Sequence, residues 1–166
     1  MRILVLGIGN LLLGDEAVGV RIVEALEQRY RLPAHVELLD GGTSGMELME
    51  MMADRDHLIV ADAVLTGAKP GSVAVLYDEE IPALFTRKVS PHQLGLSDVL
   101  MALRLTDEFP RRLTLVGVVP ESLEPGIGLS AVVSQAIEPA LAQVLLALQE
   151  SGVVAEPKEV ANADCD

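Results

Sequence analysis

Short apolar runs punctuate this chain at residues 3–6, 36–39, 58–61, 72–77 and 112–119. Each stops at Gly, Asp or Pro, the signature of strands buried in a sheet. Between them the apolar spacing switches to a helical period. Val18, Ile22, Ala25 and Leu26 fall at i, i+4, i+7 and i+8; Leu48, Met49 and Met52 form a shorter set. Leu96, Leu100 and Leu103 follow Ser90-Pro91, a cap and first-turn proline, and Val133, Ile137, Leu141, Val144 and Leu148 space a long final helix. This alternation predicts an α/β fold, a three-layer α/β/α sandwich on a five-stranded, mostly parallel sheet. Only about ten residues, rich in Gly and Pro, separate Asp62 from the run at 72–77, too few for a parallel crossover. That run is therefore expected to be the antiparallel strand. Periodicity ends at residue 151, which gives a single domain over 1–150 and a flexible, solvated tail over 151–166.

In a doubly wound sheet, ligands bind beyond the carboxyl ends of the strands, and the first such loop here is Gly7-Ile8-Gly9-Asn10-Leu11-Leu12-Leu13-Gly14-Asp15-Glu16. Gly7 and Gly9 begin a dinucleotide fingerprint, and Asp40 imitates its ribose-binding acid. The third glycine position is Leu12, however, where a branched side chain is expected to obstruct close helix–strand packing. No Gly-Lys-Ser/Thr follows, so the phosphate loop fails too, and Asp15 and Glu16 would repel a pyrophosphate.

Half the residues are apolar, enough for an ample core, yet only two Tyr and two Phe are present and no Trp, so aliphatic side chains must fill it. Net charge is −13, from 25 acids against 12 bases, which argues against nucleic acid and anionic membrane as partners. No uninterrupted apolar run approaches a membrane span, and no signal-peptide pattern opens the chain. The single Cys165 rules out a disulfide framework or thiolate metal site. A cytoplasmic monomer is expected.

Topology brings three side chains to one rim. Glu16 lies in the loop after the first strand, Asp62 ends the third, and His92 opens a helix whose N-terminus faces the same carboxyl edge. Taken singly, each has an ordinary use: a first-turn acid favoured by the helix dipole, a turn cap, a surface imidazole. Together, two oxygen donors and one nitrogen suit Zn²⁺, Ni²⁺ or Mn²⁺ with positions left open for substrate. His57 and His35 read as structural. Ser44 and Ser90 lack a His–Asp arrangement, which disfavours serine catalysis.

The same segments carry a resemblance. GIGNLLLGDEAVGVR (7–21), LDGGTSGMEL (39–48), LIVADAV (58–64), SPHQLGLSDVL (90–100) and LVGVVPESLEPGIGLS (115–130) resemble, in order, the hydrogenase maturation endopeptidases. The resemblance runs from residue 1 to about 152, with Ala17 where Gly is often found. It implies removal of a C-terminal peptide from a [NiFe]-hydrogenase large-subunit precursor after nickel insertion. It also implies Glu16, Asp62 and His92 as metal ligands, and a peptide-binding role for the loop at Asp40-Gly41-Gly42-Thr43. Nickel is then expected to be carried by the substrate, with Zn, Cd or Mn able to substitute in vitro. For activation of water two accounts stay open, Asp40 as general base or positioner, as in an aspartyl-type protease, and polarisation by the metal. A nickel-sensing binding module or metallochaperone on the same scaffold, and a nucleotide-dependent enzyme, stand as alternatives.

Overall fold

The computed structural model describes residues 1–42, 48–78 and 99–158. Strands β1 (Ile3–Ile8), β3 (Val36–Gly42), β4 (His57–Ala63), β5 (Val73–Tyr77) and β6 (Arg112–Val118) form one sheet in the order β3-β1-β4-β6-β5. The pairs β1–β3, β1–β4 and β4–β6 are parallel. β5 lies antiparallel to β6 at the edge, as the short connection after Asp62 requires.

Alternation along the strands separates two cores. Ile3, Val5, Ile59, Ala61, Val116 and Val118 face helices α1 (Val18–Arg29) and α4 (Ala131–Glu150). Leu4, Leu6, Leu58, Val60, Leu113 and Leu115 face α2 (Met49–Met52) and a helix α3 described over 99–105, through Met52, Leu100 and Leu103. The sandwich thus has its three layers. α4 has the length and hydropathy of a membrane-crossing helix, yet Val133, Ala136, Ala140, Leu141, Val144 and Leu148 are buried in the first core.

The first layer sits very close to the sheet. A Cβ on Gly19 would lie 2.1 Å from the Ala61 carbonyl oxygen and 2.5 Å from that of Ile8, and one on Gly7 would lie 2.7 Å from the Gly19 carbonyl. The intimate helix–strand contact therefore comes from Gly7 and Gly19. Leu12, expected to obstruct it, is exposed and stands clear.

The described part of the C-terminal segment, 151–158, is tied to the domain at several points, although Gly152, Val154 and residues 156–158 stay exposed. Val153 is buried, the Ser151 Oγ lies 2.6 Å from His57 Nδ1, and β7 (Glu156–Pro157) pairs antiparallel with β2 (Tyr30–Arg31). Lys158 adds a backbone bond to the Arg29 carbonyl at 2.8 Å and a side-chain bond to the Glu27 carbonyl at 2.6 Å. A strand pair this short leaves no periodicity to read. Cys165 lies outside the described residues.

Candidate active site

β1 ends at Ile8, and the chain then turns back on itself. Gly9 makes this possible: at φ 149° it occupies a region open to glycine, and a Cβ there would lie 1.9 Å from the Glu16 carbonyl oxygen. The short 3-10 helix Gly14–Ala17 is thereby pressed against β4, with Glu16 2% exposed. Asp62, 0% exposed, stands at the carboxyl end of β4, where its Oδ1 accepts the Ala63 N–H at 2.8 Å. Its cross-strand neighbour on β6 is Gly117. The fold thus brings Glu16 and Asp62 to one edge, both removed from solvent. Buried carboxylates are rare because desolvation is costly, and a cation is one arrangement that offsets it.

Asp15, adjacent in sequence, has a different task. Its Oδ2 accepts the backbone N–H of Glu121 at 2.9 Å and of Ser122 at 3.1 Å, and the Ser130 hydroxyl at 2.8 Å; its Oδ1 accepts the Ser130 N–H at 2.7 Å. Burial alone would raise its pKa, but these donors outweigh it and hold the carboxyl below its ordinary value. Ser130 in turn caps α4 through the Val133 N–H. Asp15 therefore fastens the loop over 121–130 to the loop that carries Glu16. Sequence reasoning missed this pairing, since two neighbouring acids look alike and Asp15's partners lie 106 to 115 residues away.

Asp40 is exposed near the carboxyl end of β3. Register pairs it with Gly7, on the face that carries Val36 and Leu38, whereas Asp62 falls on the face of Leu58 and Val60. Asp40 and Asp62 thus share the carboxyl edge but belong to opposite faces. Gly41 is buried in the strand, where a Cβ would meet Leu6 at 2.9 Å and Leu48 at 3.0 Å; its role is close packing. His92, Ser44, Ser90 and Thr43 lie outside the described residues. Among the described residues no three His, Cys, Asp or Glu side chains group into a metal site.

His57 is structural, as its position before a buried run suggests. It is fully buried at the opposite end of β4, between Ser151 and Thr114, with Nε2 2.8 Å from the Thr114 Oγ1. Burial, with a further contribution from the Arg112 guanidinium against a weaker opposing pull from Asp78, pushes its pKa down to about 4.

A family profile of hydrogenase maturation proteases matches residues 20–147. The chain is also 69% identical over 160 residues to the hydrogenase 2 maturation protease of Escherichia coli strain K12, spanning 96% of this chain and 98% of that one. The chain belongs to the hydrogenase maturation protease family. Its members set aside the non-catalytic module and the nucleotide-dependent enzyme, and make the protein a maturation endopeptidase. A hydrogenase expression/formation protein, HupM of Azotobacter chroococcum, is 48% identical over 160 residues, with 95% of this chain and 77% of that one covered. The solved structure of the hydrogenase-maturating endopeptidase HybD from E. coli superposes with a TM-score of 0.93 at 69% identity, covering 95% of this chain and 98% of that one. The [NiFe] hydrogenase maturation protease HybD from Thermococcus kodakarensis keeps a TM-score of 0.72 at 27% identity, over 87% and 97% of the two chains. The fold class is therefore that of these proteases.

Proposed function

We propose that this protease removes the C-terminal extension of a [NiFe]-hydrogenase large-subunit precursor, and that nickel already seated in the precursor is what it recognises. The observation that carries this reading is the pair of buried carboxylates, Glu16 and Asp62, at the carboxyl edge of the sheet. With His92 they supply two oxygen donors and one nitrogen, a set compatible with a borderline divalent metal. Three such donors without thiolate hold nickel weakly, so the free enzyme gains most of its nickel contact from a metal delivered by the precursor. A precursor lacking nickel forfeits those contacts and is left uncut. Zn, Cd or Mn would occupy the same donors in vitro.

Asp40 acts on the peptide and not on the metal. It is exposed, at the same edge, and on the sheet face opposite Asp62, which suits a carboxylate that positions the scissile segment or takes a proton from water. The enzyme works as a cytoplasmic monomer with the precursor as its partner.

Complex formation and cleavage separate the two roles. Glu16→Gln should lose capture of nickel-loaded precursor in a pull-down, and with it processing. Asp40→Asn should retain capture while its cleavage rate, read from the mass of the large subunit, falls about 100-fold. Capture by Glu16→Gln at the wild-type level would remove Glu16 from metal recognition.

A further inference from the structure

Two of the motifs in the sequence, the loop before Asp15 and the Pro/Gly loop after β6, have no assigned task beyond structure. They are zipped together. The Gly126 N–H bonds the Leu12 carbonyl at 2.8 Å, the Gly14 N–H bonds the Gly126 carbonyl at 2.9 Å, and the Asp15 N–H bonds the Ser122 carbonyl at 3.1 Å. Leu13 and Gly126 form a parallel bridge, and the Asp15 carboxylate fastens the far end of the second loop at Ser130. On this doubly tied platform large apolar side chains face solvent: Leu11 is 38% exposed, Leu12 63% and Ile127 81%. Exposed Leu and Ile this close together on a braced scaffold are better suited to a partner than to a loop tip. Glu121 and Glu124 are exposed on the same loop, in a chain of net charge −13.

We infer that the Leu11, Leu12 and Ile127 platform is the docking surface for the folded body of the hydrogenase precursor, engaging an apolar patch bordered by Lys or Arg. The inference rests on the proposed function. Two observations choose this occupant. The platform leads directly into Glu16, whose N–H bonds the Leu13 carbonyl at 3.1 Å, so a partner seated on it is held beside the metal-binding rim. The acids at 121 and 124 complement a basic border on the partner and repel an anionic lipid surface. Nickel then reports that the precursor is ready, while the platform adds to the affinity that the metal contacts supply.

The test uses the full-length enzyme and nickel-loaded large-subunit precursor, with cleavage followed by mass. Leu12→Ser/Ile127→Ser should melt like the wild type, raise KM about tenfold or more, and change kcat by less than about twofold. Leu146→Ser/Val154→Ser removes two equally apolar exposed side chains outside the platform and should leave both constants unchanged. Wild-type enzyme that fails to cut would overturn the proposed function and this inference with it. Wild-type cleavage alongside an unchanged KM in the Leu12/Ile127 variant would overturn this inference alone. A wild-type dimer that the same variant abolishes would assign the platform to a second copy of this chain and equally overturn it.

Discussion

In the proposed function single side chains at the carboxyl edge divide the labour, and glycines set how closely they can gather. Gly19 is a sensitive structural position in α1, because its Cβ would need to displace the backbone carbonyls of Ala61 and Ile8 together. Gly19→Ala should destabilise the protein by about 3 kcal/mol, read as a lowered denaturation midpoint. A change below the error of the measurement would mean that α1 can lift from the sheet. His92→Ala tests the proposed nitrogen donor, which lies outside the described residues. It should weaken Ni²⁺ or Zn²⁺ binding in a calorimetric titration by at least about tenfold, with an unchanged melt. Equal affinity in that variant would remove the imidazole from the site. Asp40 and Glu16 are both acids at the carboxyl edge of the sheet; only burial shows that one is exposed and the other enclosed.

At the scale of elements, the apolar runs were sufficient to find every strand of the main sheet, since strands covered on both faces read as continuous hydrophobic segments. The antiparallel edge strand was legible from loop length alone. Three features were not. Gly19 sits inside a helical pattern, where a glycine reads as a weakness, and the carbonyls that require it belong to β1 and β4. The clamp at Asp15 depends on donors more than 100 residues away. The β2–β7 pair has two residues on each side, too few for a period to register. Each is a contact between distant segments, which local pattern does not encode. The clamp yields a prediction of its own. Asp15→Ala strands the N–H groups of Glu121, Ser122 and Ser130, and should cost about 3 kcal/mol and speed hydrogen exchange across 121–130. Exchange at wild-type rates would show that the backbone zipper at Gly126 is sufficient by itself.

For the molecule as a whole, the buried His57 links stability to pH. Its pKa is about 4 when folded against 6.5 ordinarily, so between these values the unfolded chain binds more protons. Stability is therefore complete above about pH 6.5 and falls as pH drops toward 4, by on the order of 3 kcal/mol. The depressed carboxyl of Asp15 contributes stability above its ordinary 3.8 that is lost at still lower pH. Denaturation across this range should steepen below pH 6.5 in the wild type and flatten in His57→Gln; parallel curves would assign the acid sensitivity elsewhere. The proposed function belongs to the opposite end of the sheet, where Glu16 and Asp62 are enclosed and Leu12 and Ile127 are exposed. In the proposed function nickel in the precursor, and not the peptide alone, licenses the cut. The direct measurement is the mass of purified large-subunit precursor after incubation with this enzyme, with and without nickel loaded. The C-terminal peptide is expected to be lost only from the nickel-loaded form; equal trimming of both forms would show that nickel does not license the cut.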